Sequence, residues 1–300
     1  IINPGSDNGL IFAMMPWINP GDEVLIPEPS YPNNFQNVQL LSCRGVPVPL
    51  KADEQYALDI DAFERAVTER TKMVVLTHPN NPTTTVFTRE NLQALADFII
   101  RHDLILVVDQ AFEDIVFDGA EFVTPASLPG MWERTVTVCS ISKGFGLSGL
   151  RVGYIVANDV FMDVYFGAAV SVIGATNTAS QAAAIEVFRS HDFMDRYYHH
   201  YDRRRKDAVR ILGAVPGVKI AMPESGFFCW VDVSALGDST DIMNYLIREA
   251  GVAVNDGKNY GAHGAGHLRI INGCLGSDDE SEQALQRIAD ALRRYKKEEN

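Results

Sequence analysis

The sequence predicts an α/β protein: a mostly parallel sheet covered by helices on both faces, followed by a smaller α+β unit. Three observations carry this. From residue 8 to about 190, apolar runs rich in β-branched residues alternate with stretches of helical period, the pattern of strands joined by crossover helices. The pattern then turns helical throughout from Asp159 to about Ala214. After that it reads strand, strand, helix, strand, helix.

In order, the candidate strands are Glu23–Ile26, Gly45–Leu50, Met73–Thr77, Leu104–Asp109, Thr135–Ser140 and Arg151–Ala157, with amphipathic helices at Ile60–Thr68 and Thr88–His102. The C-terminal elements are Val218–Ala221, Gly226–Val233, Ile242–Ala250, His267–Ile271 and Asp279–Lys296. Ser277 and Glu280 have the spacing of a capping box opening the last helix. The boundary between units is expected inside the long helix near Arg205, dividing residues 1–205 from 206–300.

Composition excludes several classes. A hydrophobic fraction of 46% with 22% charged residues is that of an ordinary globular protein. No apolar run reaches the roughly 18 residues that a membrane span needs. A net charge of −13 argues against nucleic acid or anionic membrane as partner. Arg203-Arg204-Arg205-Lys206 is the one dense basic run and reads as a solvated helix face between Asp202 and Asp207. Cys43, Cys139, Cys229 and Cys274 form no CxxC pair and read as reduced, buried thiols of a cytoplasmic protein. The chain opens Ile1-Ile2-Asn3-Pro4-Gly5 without Met or a signal-peptide pattern, so a segment upstream of it is expected.

In an open α/β sheet, ligands sit beyond the carboxyl ends of the strands, and the residues with chemistry lie there. Lys143 follows an apolar strand and sits among Ser140, Ser142, Gly144, Gly146 and Arg151. A desolvated lysine has a lowered pKa and attacks carbonyls, while Arg151 and the two serines can hold a phosphate. The same stretch spells GxGxxG at Gly144, Gly146 and Gly149, but a strand rather than a helix follows it, so a dinucleotide fingerprint is rejected. Asp109 closes an otherwise uncharged strand. It either caps the next turn or pairs with a buried cation such as a pyridinium nitrogen. Asn81 lies in the rigid His78-Pro79-Asn80-Asn81-Pro82-Thr83 turn and offers both a donor and an acceptor. Ser6 and Asp7 precede a helical stretch from Gly9 and can cap it or present its N–H groups to phosphate. Tyr31, after another strand, can stack on a planar ring or belong to the core. Arg269 sits inside an apolar strand and needs an anion, either a structural carboxylate or that of a substrate.

Taken in order, these residues resemble the class I/II aminotransferases, the fold type I pyridoxal-phosphate enzymes. The resemblance runs from Gly5 to the last helix and is most specific in Ser140-x-Ser-Lys143…Arg151-Val-Gly153. It implies a seven-stranded-type sheet. It also implies that Lys143 holds pyridoxal 5′-phosphate as a Schiff base, that Asp109 holds the pyridinium nitrogen, and that Asn81 bonds the ring's 3′ oxygen. By the same resemblance Tyr31 stacks on the ring, Ser6, Asp7, Ser140, Ser142 and Arg151 surround the phosphate, and Arg269 binds the substrate α-carboxylate. The implied reaction moves an amino group from an L-amino acid to a 2-oxo acid by a ping-pong mechanism, in a homodimer. Phe112 stands where the family usually has a tyrosine, Thr84 replaces a common glycine, and Asp256-Gly257 replaces a common Pro-Gly. The family's first small-domain segment has no counterpart. Phe112 keeps open a lyase, decarboxylase or cyclase; a non-catalytic effector-binding relative is the third reading.

Overall fold

The structure, a computed structural model, describes residues 1–190 and 192–295. Its first part is built on β1 (Ile2–Asn3), β2 (Glu23–Glu28), β3 (Arg44–Pro49), β4 (Thr71–Thr77), β5 (Ile105–Asp109), β6 (Thr135–Ser140) and β7 (Gly153–Val156). These form one sheet in the order β1-β7-β6-β5-β4-β2-β3. The pairs from β3 through β2, β4 and β5 to β6 are parallel, while β7 is antiparallel to both β6 and β1. Each predicted strand of this part is present, Thr135–Ser140 unshifted and the others with ends moved by at most two residues. The strand expected to begin at Arg151 starts at Gly153, because Arg151 has a left-handed backbone (φ 53).

Helices α1 (Ser6–Met14), α2 (Pro32–Leu40), α3 (Ile60–Ala66), α4 (Arg89–Arg101), α5 (Asp159–Val172), α6 (Thr178–Arg189) and α7 (Asp192–Leu212) accompany this sheet. In α4, Leu92, Leu95, Ala96, Phe98 and Ile99 recur on one face and are buried, and the Thr88 hydroxyl accepts from Asn91 N at the N-cap. Two apolar cores lie on opposite faces of the sheet. One gathers Leu25, Val74, Leu76, Leu106 and Val108 with α3 and α4. The other gathers Val24, Ile26, Val75, Val107 and Val138 with α1 and Tyr165 of α5. Alternate residues of one strand serving opposite cores is the pleat of a sheet buried on both faces. The stretch expected to be helical throughout is instead three helices.

The second part comprises β8 (Lys219–Ile220), β9 (Phe228–Asp232), α8 (Ser239–Ala250), β10 (Asn255–Asp256), β11 (His267–Ile271) and α9 (Asp278–Arg294). Its sheet runs β10-β11-β9-β8, and each pair is antiparallel. The end of α7 (Ala208, Ile211, Leu212) joins its core with α8 and α9. The capping box between Ser277 and Glu280 is present, so α9 starts as expected; its expected end at Lys296 lies outside the described residues. Among the described residues, no helix is long and apolar enough to cross a membrane.

Two expectations are corrected. The basic run is only in part a solvated face: Arg203 and Lys206 are exposed, but Arg204 and Arg205 are buried. Arg204 Nε donates to Asp278 at 2.7 Å, while Arg205 donates to Asp118, Asp202 and the Pro223 carbonyl and lies 4.2 Å from the centre of the Phe117 ring. Charge pairing makes the burial tolerable. Of the cysteines, all free, Cys139 and Cys229 are buried as expected, but Cys43 is half-buried and Cys274 exposed.

Candidate active site

Sheet topology brings most of the sequence-predicted residues to one edge. The parallel strands β4, β5 and β6 are neighbours, with Thr77 opposite Asp109 and Asp109 opposite Val138. Asn81, Asp109 and Lys143 therefore leave the same end of adjacent strands. Because β7 runs back along β6, with Ser140 opposite Gly153, Arg151 meets the same edge. Asn3 pairs with Gly153 in turn, which delivers Gly5, Ser6 and Asp7 there. Tyr31 follows β2; its hydroxyl donates to Asp7 Oδ1 at 3.0 Å, and Asn33 Nδ2 donates to the same oxygen at 2.9 Å.

Arg269 comes from the second sheet. Its guanidinium lies 3.9 Å from the centre of the Phe228 ring and 5.8 Å from that of Tyr260. It is buried, and its Nε has no hydrogen-bond partner among the described residues. Burial lowers its pKa, and the main opposing influences come from Tyr260, Tyr31 and Cys229. A buried cation so placed can accommodate an external anion.

The half-buried Lys143 has its pKa lowered by desolvation first and then by Arg269, with Asp7 and Asp109 acting against this. These effects name its surroundings: two carboxylates and two guanidinium groups, the second being Arg151. A lowered pKa places more of the amine in the neutral, nucleophilic form. Asp109 is fully desolvated, and burial pushes its pKa up to about 7. Its Oδ1 accepts from Ala111 N at 3.1 Å, so the turn-capping role holds as well, while one N–H leaves the carboxylate short of a cation. Asn81 is buried, and its Oδ1 has no partner among the described residues.

At the edge beside α1, the cap residue is Gly5 and no side chain caps the helix. Ser6 and Asp7 thus lie inside the first turn rather than at the cap, and the helix begins at Ser6 rather than Gly9. The first N–H groups of a helix have no intrahelical acceptor and can bind an anion. Arg151 Nη1 donates to Ser148 O at 2.8 Å and Nη2 to Pro4 O at 3.1 Å, holding the guanidinium over Gly5. Ser142 N donates to Ser140 Oγ at 3.0 Å, so the Ser140 hydroxyl also shapes the loop before Lys143. Phe112 is buried edge-on to Phe227 and Phe228 (centroids 5.6 and 5.2 Å).

Other residues at this edge were not singled out by the sequence. His78 lies between the rings of Phe87 and Phe122, and burial pushes its imidazole pKa down to about 3; it is a neutral wedge under the Asn81 turn. Asn34 Nδ2 bridges Ser30 and Thr77 at 3.0 and 2.9 Å, tying the Tyr31 loop to β4. Only the neighbouring Pro-rich turns signal either one. In place of the common proline, Asp256 accepts from Ser239 Oγ and Thr240 Oγ1.

A buried carboxylate with a single N–H donor, a half-buried lysine of lowered pKa and a helix start with no side-chain cap are compatible with a planar, cationic ring carrying a phosphate. Comparison with known proteins agrees. The chain matches the family described as aminotransferase class I and II over residues 1–288. It is 31% identical over 300 residues to a probable aspartate/prephenate aminotransferase of Aquifex aeolicus, covering 97% of this chain and 75% of that protein. An aromatic aminotransferase from Pyrococcus horikoshii OT3 superposes with a TM-score of 0.91 at 29% identity, covering 98% of this chain and 78% of the other. A PLP-bound protein from Clostridium difficile 630 shares the fold (TM-score 0.92, 24% identity, 97% of this chain and 77% of that one). The chain belongs to the class I and II aminotransferases, pyridoxal-phosphate-dependent enzymes of fold type I.

Proposed function

We propose that this aminotransferase holds pyridoxal 5′-phosphate in the Lys143 cleft and exchanges the amino group of an L-amino acid with a 2-oxo acid in two half-reactions. The observation that carries the assignment is the sheet register, which brings Asn81, Asp109 and Lys143 to the same end of adjacent parallel strands and delivers Arg151 and Asp7 beside them. When bound, the cofactor supplies a carbonyl for the amino group and a ring that accepts the electron pair left at Cα.

Lys143 would hold that carbonyl and is placed to carry the proton to and from the substrate Cα. Asp109 would hold the ring nitrogen and, as a carboxylate, favour its protonated form. Asn81 bonds the ring oxygen, and Tyr31, fixed by Asp7, packs on the ring. The phosphate falls to Arg151, Ser140, Ser142 and the N–H groups of Ser6 and Asp7; the Asp7 carboxylate itself is taken by Tyr31 and Asn33. Arg269 clamps the substrate α-carboxylate. Phe112 offers no hydroxyl to the ring oxygen, which leaves Asn81 as its donor.

The working unit is a homodimer. Val160, Val164, Phe166 and Val170 of α5, with Ile185 and Phe188 of α6, are exposed large hydrophobics that a second subunit could cover. Residues 1–205 form the cofactor-binding unit and 206–300 the smaller one. The four free thiols suit a reducing, cytoplasmic setting. The test is stoichiometry: amino acid and 2-oxo acid consumed one for one, with no ammonia released.

A further inference from the structure

Tyr56 has no place in the family signature, yet it joins the two halves of the site. Gln55 and Tyr56 are consecutive residues with left-handed backbone (φ 54 and 61), a conformation disfavoured wherever a Cβ is present and kept only where surrounding contacts over-determine it. The contacts are on both sides. On one side, Thr85 Oγ1 donates to the Gln55 carbonyl at 3.0 Å. Thr85 is in the loop that carries Asn81: Asn80 N donates to Thr85 O at 2.9 Å, and Asn80 Nδ2 donates to Thr83 Oγ1 at 2.7 Å.

On the other side, Tyr56 Oη accepts from Trp230 Nε1 at 2.9 Å and lies 3.0 Å from His267 Nε2. His267 Nδ1 is 3.1 Å from Ala265 O. A carbonyl only accepts, so Nδ1 carries the hydrogen, and in the neutral ring Nε2 accepts from the Tyr56 hydroxyl. The chain Trp230 N–H to Tyr56 O–H to His267 is fully satisfied. Trp230 stands directly opposite Arg269 in the register of β9 and β11, and His267 precedes Arg269 by two residues on the same face of β11. Trp230 stacks on His267 (4.8 Å, 5°) and meets Tyr260 edge-on (5.8 Å), and the Tyr260 ring flanks the Arg269 guanidinium.

We infer that Tyr56 is a positioning residue: its hydroxyl fixes the strand pair bearing Arg269 against the loop bearing Asn81, and so sets the distance between carboxylate clamp and cofactor. Ser225 Oγ to Thr84 O (2.8 Å) and Val86 N to Glu224 (2.8 Å) anchor the approach to β9; Tyr56 anchors its far end. The inference rests on reading Arg269 as the carboxylate site.

The test uses cofactor-loaded Tyr56→Phe, which removes one oxygen. The KM for amino acid and for 2-oxo acid is expected to rise roughly three- to tenfold with kcat changed by less than about twofold, the size and signature of one lost hydrogen bond that aligns substrate equally before and during reaction. The affinity for propionate, a carboxylate that cannot react, followed by the change in cofactor absorption, falls by the same factor. His267→Leu gives the same loss, and the double variant is no worse than either single one. An unchanged KM and propionate affinity in Tyr56→Phe overturns the inference, whatever happens to the melting temperature. Arg269→Gln is run in parallel: retention of propionate binding there overturns the carboxylate reading itself, while its loss with none in Tyr56→Phe overturns only the role of Tyr56.

Discussion

The Arg151 guanidinium closes over Gly5: its Nη2 donates to the Pro4 carbonyl at 3.1 Å, and a Cβ on Gly5 would overlap it. Gly5 also has φ 89, a backbone open to glycine at no steric cost. Gly5→Ala therefore displaces the arginine and strains the start of α1. The cofactor dissociation constant is expected to rise tenfold or more, about 1.4 kcal/mol, measured by titrating cofactor into the stripped protein. Unchanged affinity would remove Arg151 from the phosphate site.

Asp109 gives a pH dependence of defined sign. Its pKa in the folded, cofactor-free protein is pushed up to about 7 by burial, above the unfolded value of roughly 3.9. Folding therefore takes up a proton between those values, and stability falls as pH rises through that window, by on the order of 4 kcal/mol. Asp109→Asn keeps the acceptor for Ala111 N and cannot ionise. Without cofactor it is expected to melt higher than the native protein at pH 8 and equally at pH 4. A difference independent of pH would show that Asp109 ionises freely.

Lys143→Ala should fold normally and lose roughly a thousandfold or more in turnover, within the range for a positioned proton carrier. Rapid-quench measurement of a single amino-transfer event separates this from slow product release. Activity within tenfold of native would assign the chemistry elsewhere.

The Arg204–Asp278 pair is buried on both sides, with side chains 6% and 11% exposed. Asp278→Ala leaves the buried Arg204 guanidinium with only the Asn272 and Leu275 carbonyls and is expected to cost about 3 kcal/mol in urea unfolding. Replacing both residues with Met and Leu should recover most of that loss. Equal cost for single and double variants would mean the pair is not coupled.

The architecture was legible where local pattern and burial coincide. Strands such as Val74–Leu76 and Leu106–Val108 are apolar on both faces, and the helix-capping Ser277 and Glu280 lie three residues apart. That Asn81, Asp109 and Lys143 meet at one edge was legible because Asp109 ends a strand and the other two lie just beyond the ends of theirs. What escaped depends on partners far along the chain. Arg204 meets Asp278 across 74 residues and Arg205 meets Asp118 across 87, so a basic run next to aspartates gave no sign of burial. The Tyr56 hydroxyl meets Trp230 across 174 residues, in a turn whose composition announces nothing. The Gly5 cap was misplaced because Ser6 and Asp7 are themselves favoured capping residues, while the bond from Tyr31 to Asp7 is visible only once α1 and the β2 loop are side by side.

The most direct test of the central claim is the absorption spectrum of the cofactor-loaded protein during addition of single L-amino acids, followed by 2-oxoglutarate. Conversion of the cofactor's aldehyde form to its amine form by the amino acid, reversed by the 2-oxo acid and abolished by Lys143→Ala, is the result the structure predicts. Release of ammonia or carbon dioxide while the aldehyde form persists would contradict it.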